Sequence, residues 1–225
     1  MSSARTTATA RRSAPSFRTL QQLIADETYG AFGHGHIDFY IPIDFGGGFR
    51  DQMEYPLLVD MAIHHFDLIR AVTGRNIERV FATSFNPSWS WFDHPPAAKL
   101  ILELAGGLPF SYSGDWSANG QITPWNGHWR LQCAEGSVHL VDDKITVGEC
   151  IRWGKDEVLR KIPALDIPHP EMHGTLHAFA EAIRTGTPAE TCGADNLFSF
   201  GAVAAAIRSA QEERWVTVEE ILRPA

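Results

Sequence analysis

The sequence predicts an α+β fold, an open and mostly antiparallel β-sheet with helices packed on one face. Three observations lead there. Helical periodicity is confined to the two ends of the 225-residue chain. The middle, residues 79–154, is a series of short alternating runs divided by turn residues. No strand-helix-strand alternation of the kind that builds a parallel sheet is present. Hydrophobic residues make up 44% of the chain and charged residues 20%, an ordinary balance for a globular domain.

Residues 1–14 are rich in Ser, Thr, Ala and Arg, with Arg5, Arg11 and Arg12 and no acidic residue. A segment so poor in large apolar side chains is expected to be disordered, and its composition also suits an organelle transit peptide. A single domain is expected over residues 15–225. It opens with a helix at Pro15, whose Phe17, Leu20, Leu23 and Ile24 share a face. The run 32–41 is β-rich in its second half, and Pro42 ends it. Gly46, Gly47 and Gly48 then form a turn leading to the stretch 57–74. There Leu57, Leu58, Met61, Ala62, Phe66, Ile69 and Val72 recur at helical spacing, and Gly74 stands where a helix C-cap belongs. This buried helix carries ionisable residues at close spacing. Asp60 and His64 share one face about a turn apart, and His64 and Asp67 form a second pair.

Strands are expected at 79–85, 97–104, 108–116, 129–134, 137–141, 144–147 and 150–154 as an antiparallel meander. Helix returns over 169–185, with Met172, Leu176, Phe179, Ala180 and Ile183 at helical spacing and a stop at Gly186 and Pro188. Asp195 is expected to N-cap an Ala-rich helix over 196–211, and 216–221 to be a short strand and turn.

The formal charge of −8, from 27 acidic against 19 basic residues, comes with no basic cluster beyond the N-terminus. Nucleic acid and anionic membrane are therefore not expected as partners. The chain has no apolar run of about 18 residues and no secretory leader, so a cytoplasmic setting is expected. Cys133, Cys150 and Cys192 are scattered, without zinc-site or disulfide-scaffold spacing, and read as inert thiols.

With its elements in this order the chain resembles the C-terminal domain of the glucose-fructose oxidoreductase / inositol dehydrogenase / MocA (Gfo/Idh/MocA) family. The resemblance rests on Gly46-Gly47-Gly48, on Asp60-x-x-x-His64-x-x-Asp67-x-x-Arg70-x-x-x-Gly74 and on Arg130-x-x-x-x-Glu135-Gly136-Ser137. It also rests on His173-x-x-x-His177-x-Phe179-x-x-Ala182-Ile183-x-x-Gly186-x-x-Pro188 followed by Asp195-Asn196, and it runs from about Ser16 to the end. It implies membership among two-domain NAD(P)-dependent oxidoreductases acting on sugars, polyols and related carbonyl compounds. In these, residues matching Asp60 and His64 serve substrate binding and proton transfer beside a lysine, and copies associate through the open face of the sheet.

The nucleotide-binding Rossmann half of such an enzyme is missing from the sequence. No Gly-x-Gly-x-x-Gly opens a helix after a strand; the nearest approach, Gly30-x-x-Gly33-x-Gly35, runs into a strand. The Glu-Lys-Pro motif that brings the family's lysine is absent, and Lys99, Lys144, Lys155 and Lys161 stand in no comparable context. No NAD or NADP is expected on this chain as encoded.

Oxidation of an alcohol needs a group beside the hydroxyl that can take its proton near neutral pH. His64 is the candidate base. Asp60 is its substrate-binding partner, and Asp60 or Asp67 is placed to orient the ring and touch substrate. Against this stands the plainer reading of His64 as a hydrogen-bonded core histidine. His65, about 100° around the helix, reads as structural or exposed. His34 and His36 share a strand face and suit a metal, but no further ligands complete a set, so no metal site is expected. Trp89, Trp91, His94, Trp116, Trp125 and Trp129 suit packing or an oligomer interface, though aromatic faces also stack on sugars.

The expected function is that of a substrate-binding and oligomerisation domain, inactive alone, forming a homo-oligomer through an apolar open sheet face. The alternatives are a non-enzymatic sugar-binding or scaffold module, an oxidoreductase completed by a separate Rossmann chain, and a truncated reading frame.

Overall fold

The computed structural model describes residues 11–149, 152–153 and 158–223. In chain order the elements are α1 (Pro15–Ala25), β1 (Phe32–Tyr40), a π-helical turn (Leu57–Ala62) continuing into α2 (Ile63–Thr73), β2 (Ile77–Phe85), β3 (Ala97–Leu104), β4 (Leu108–Asp115), β5 (His128–Cys133), β6 (Gly136–Val141), β7 (Lys144–Glu149) and β8 (Leu159–Ile162). They close with α3 (Glu171–Thr185), α4 (Gly193–Glu212), β9 (Val216–Thr217) and α5 (Val218–Leu222). The strands form one sheet in the order β8-β7-β6-β5-β1-β4-β3-β2-β9. This is the expected α+β architecture, with one departure from a plain meander. β1 is inserted between β5 and β4, antiparallel to the first and parallel to the second. The chain leaves β1 through the 57–73 helix and lays down β2 toward the far edge, so α2 supplies the crossover that a parallel pairing requires.

Alternation with period two sorts the strand residues. Ile37 and Phe39, Leu100 and Leu102, Phe110 and Tyr112, and Trp129 and Leu131 are buried toward the helices. Their neighbours His36, Asp38, Lys99, Ser111 and Ser113 lie on the other face, where His36 Nδ1 meets Ser111 Oγ at 2.7 Å and Lys99 Nζ donates to the Tyr40 hydroxyl at 2.6 Å. The expectation of an apolar uncovered face is amended: over β1 and β4 the alternating positions hold His, Asp and Ser and the face is polar, while toward β2 it carries Ile101, 50% exposed, paired with Phe81.

Within the helical layer α2 packs against both α1 and α4. Phe17 of α1 sets its ring edge-on to Trp129 of β5, with centroids 5.4 Å apart. The helix approaches β4 so closely that a Cβ on Gly114 would lie 2.9 Å from the Leu57 side chain, which makes glycine necessary there. α2 ends at Gly74 in the left-handed conformation, φ 65°, as the sequence requires. α3 is different: none of its residues is buried, and Met172, Leu176, Phe179 and Ile183 form a stripe with exposures from 39% to 69%.

Other expectations need amendment. The strand expected at 150–154 lies largely outside the described residues, and the meander closes instead with β8. α5 replaces the expected terminal turn because Thr217 and Glu220 form a capping box. α4 starts at Gly193, with Cys192 in the N-cap position, so Asp195 is not a cap. Residues 11–14 do not behave as the disordered tail composition suggests. Arg12 is 5% exposed, donating from Nε to Asp67 Oδ2 at 2.7 Å and from Nη2 to Asp195 Oδ2 at 2.8 Å. Arg70 completes the cluster, with Nη2 2.6 Å from Asp195 Oδ1.

Breaking this cluster leaves a buried carboxylate short of its cation, a change that costs about 3 kcal/mol. Arg12→Ala is accordingly expected to lower unfolding stability by about that amount. Denaturant titration checks it, and an unchanged midpoint would show the cluster to be incidental.

Candidate functional site

α2 and the π-helical turn before it present their ionisable residues in three directions. Asp67 points into the helical layer and is 2% exposed. Its oxygens accept from Arg12 and from Ser199 Oγ at 3.0 Å, with Arg70 Nη1 3.6 Å away. It bonds to no ring nitrogen of His64, so the expectation that it orients the imidazole gives way to a structural role. The contacts that claim Asp67 come from residues 12 and 199, far off in sequence.

His65 faces the sheet and is fully buried. Its Nε2 lies 3.1 Å from the Trp125 carbonyl oxygen and its Nδ1 lies 3.1 Å from the Tyr112 hydroxyl. A carbonyl only accepts, so Nε2 carries the proton and Nδ1 accepts from Tyr112. Burial and the nearby Arg11 charge lower the pKa of His65 to about 3, against the opposing hydrogen bond to Trp125. This is the structural histidine of the pair. Burial likewise raises the Tyr112 hydroxyl above its ordinary value, with Arg11 opposing, so it stays a proton donor.

His64 and Asp60 face the third direction, both half-buried. Asp60 Oδ2 accepts from Arg50 Nε at 2.7 Å, and the Arg50 guanidinium lies over Phe49, 4.7 Å from the ring centroid. The expected carboxylate–imidazole hydrogen bond is absent, because a guanidinium is the stronger partner for the carboxylate. His64 Nδ1 is buried without a hydrogen-bond partner. Such an orphaned polar atom is unfavourable by about 1–3 kcal/mol unless a water or a ligand meets it, and Asp51 Oδ1, Arg79 Nε and Trp116 Nε1 are in the same position among the described residues. Burial first, and then the Arg11 charge, lower the His64 pKa to about 4, while Asp60 and Asp67 pull the other way. The ring is neutral at pH 7 and able to accept a proton.

Arg11, grouped by composition with the N-terminal tail, is the residue that sequence reading missed. Its Nη1 donates to the same Trp125 carbonyl at 2.7 Å. The available signal was position alone, immediately before Arg12 and the helix-opening Pro15. Of the tryptophans, Trp116 and Trp129 are core, while Trp89, Trp91 and Trp125 are 57%, 42% and 47% exposed. His36 Nε2 lies 3.0 Å from its strand neighbour Asp38, and no group of three or more metal-ligating side chains occurs among the described residues. Cys133 and Cys192 are free thiols, and Cys150 lies outside the described residues. No described helix is long and apolar enough to cross a membrane.

In the glycine run nearest to a nucleotide fingerprint, Gly35 serves packing. A Cβ on Gly35 would fall 2.3 Å from the Phe110 ring, so this glycine lets the core close inside β1.

A family model described as GFO/IDH/MocA C-terminal domain matches residues 17–139. An uncharacterized protein, y4oX of Sinorhizobium fredii, is 24% identical over 189 residues, spanning 80% of this chain and 52% of its own. Among solved structures, an oxidoreductase from Agrobacterium radiobacter in complex with NAD+, L-tartaric acid and magnesium superposes with a TM-score of 0.78 at 16% identity, covering 95% of this chain and 64% of that one. An aldose-aldose oxidoreductase from Caulobacter crescentus complexed with glycerol gives 0.76 at 18%, covering 92% and 62%. At such identities the likeness to solved structures is one of fold. The chain spans about half the length of its curated relative and under two thirds of these structures.

The histidine values fix a pH response. The folded-state values of about 4 and about 3 lie below the ordinary 6.5, so the unfolded chain takes up protons first as pH falls. The corresponding stability is fully present above pH 6.5 and is lost as pH drops through 4. The His64 ring resonances are expected to titrate near pH 4, which NMR measures directly. A midpoint at the ordinary histidine value would mean that the ring is solvated.

Proposed function

The chain belongs to the Gfo/Idh/MocA family through its C-terminal domain, and on that premise we propose that it is the substrate-binding and oligomerisation domain of an NAD(P)-dependent oxidoreductase acting on sugars, polyols or related compounds. The observation that supports a chemical role is His64, a neutral imidazole with an orphaned nitrogen beside Asp60. In this reading the reacting hydroxyl binds at His64, which accepts its proton on oxidation and returns it on reduction. Asp60, held by Arg50, accepts a hydrogen bond from a neighbouring hydroxyl and fixes the orientation of the substrate. The hydride partner is carried by a domain outside the described residues, so the chain by itself is inactive. Copies associate through the uncovered sheet face, polar over β1 and β4 and apolar at Ile101, in a cytoplasmic setting.

Between completion by a nucleotide-binding domain and a purely non-enzymatic sugar-binding module, α3 favours completion. Its stripe of Met172, Leu176, Phe179 and Ile183 is left uncovered by the described residues, and helices with such stripes bury them against a partner.

The purified chain is expected to show no NAD(P)H signal and no turnover alone. When it is combined with a nucleotide-binding domain of the family, polyol-dependent NADH formation is expected, falling by about 100-fold or more in His64→Ala. Leu176→Glu with Phe179→Glu is expected to abolish the combination while leaving the unfolding midpoint of the chain unchanged. Activity undiminished in His64→Ala would remove the proposed base, and failure of sugars and polyols to perturb the His64 resonances would remove the pocket.

A further inference from the structure

We propose that the pocket at His64 takes a polyhydroxy compound bearing a carboxylate, and that Arg11 is the residue that binds this group; the inference rests on the reading of Asp60 and His64 as a substrate pocket. Arg11 is half-buried, and its bonded partner is a backbone carbonyl, that of Trp125. Its neighbours Arg12, Arg50 and Arg70 each hold a carboxylate, from Asp67, Asp60 and Asp195 respectively. Among the described residues Arg11 holds none. Asp143 acts on it only through space and accepts instead from Asn126 Nδ2 at 2.8 Å. A guanidinium has five N–H donors in a planar fork suited to two oxygens at once. One donor is used here, and a partly desolvated cation without a counter-ion is a place for an anion.

Its position ties it to the pocket. The Trp125 carbonyl that accepts from Arg11 also accepts from His65, the residue next to His64. The Arg11 charge is felt at His64, at His65 and at Tyr112. The Trp125 ring, 47% exposed, offers an apolar face for the C–H side of a sugar chain.

A carboxylate on Arg11 also alters the base. Burial is the larger cause of the low His64 value and persists, but the Arg11 charge is the second, and a bound anion offsets it. An acidic substrate therefore makes His64 a better proton acceptor on arrival, and a neutral polyol does not.

The test titrates the whole chain with D-gluconate and with D-glucitol, the same carbon chain with and without the carboxylate, following the His64 ring resonances by NMR. Gluconate is expected to bind roughly tenfold more tightly, the worth of a charge-assisted pair, and to raise the His64 titration midpoint. Arg11→Gln is expected to abolish the preference and, in the absence of ligand, to raise that midpoint by itself, showing a folded variant whose lost charge faced the ring. Arg11→Lys keeps the charge without the fork and is expected to retain part of the preference. Equal binding of the two ligands overturns the carboxylate inference while the pocket stands. A preference that survives Arg11→Gln overturns the role of Arg11. If neither ligand moves the His64 resonances, the inference and the pocket reading fall together.

Discussion

Two guanidinium groups and two carboxylates meet where three segments converge, and the helical layer depends on that junction. Arg12 comes from the segment before α1, Asp67 and Arg70 from α2, and Asp195 from the first turn of α4. Charges taken out of water are tolerated only when each finds a well-placed partner. The four groups satisfy one another only if the three segments hold one mutual arrangement. Burial alone would raise the Asp195 pKa, but hydrogen bonds and charge from Arg70 and Arg12 outweigh it and hold the carboxylate below its ordinary value. The stability this group contributes is thus present above the ordinary carboxylate value and lost as pH falls through the depressed one.

The geometry of the site follows from the junction. Once Asp67 is locked against Arg12 and Ser199, the rotation of α2 about its own axis is set, and with it the direction of every other side chain on the helix. His65 is then driven into the sheet, against Phe39 and Tyr112. His64, about 100° away, is left at the edge beside Asp60 and within reach of the Arg11 charge. Two adjacent residues of the same type thereby acquire opposite characters. One has both ring nitrogens bonded; the other has a buried nitrogen with no partner. The peptide bond joining Arg11 to Arg12 extends this control, because the anchored Arg12 delivers the Arg11 guanidinium to the Trp125 carbonyl.

The sequence made the strands legible because a half-buried sheet writes its pleat into alternate residues, as in Ala97–Leu104 and Leu108–Asp115. The helix over 57–74 was legible for the same kind of reason, and so was its end at Gly74. The insertion of β1 beside β4 was not legible, since alternation says which face a residue takes and nothing of its neighbouring strand. Arg12 was misread because composition is averaged over a window, while its burial is decided by Asp67 and Asp195, 55 and 183 residues away. The same long-range pairing withdrew Asp67 from the site and Asp195 from capping. Asp60 and His64 could be singled out as candidates by spacing, but their separation into an arginine-bound carboxylate and a ring nitrogen without a partner depends on Arg50, which no helical spacing contains.

Two surfaces left uncovered by the described residues differ in chemistry, and the difference constrains what covers them. Over β1, β3 and β4 the open face of the sheet carries side chains that bond one another, such as His36 with Ser111 and Lys99 with Tyr40, so this part tolerates water when alone. The stripe on α3 has no such internal satisfaction. Four large apolar side chains between 39% and 69% exposed gain free energy only by leaving water, at about 25 cal/mol for each Å² removed. Polar faces suit association that is specific and reversible, whereas an apolar stripe on a helix with no buried residue of its own suits a more lasting contact. His64 sits on α2 and Asp60 on the π-helical turn that leads into it, both fixed by the ionic junction whether or not the stripe is covered. The arrangement of Asp60 and His64 is thus built independently of whatever α3 meets, and covering the stripe leaves it as it stands.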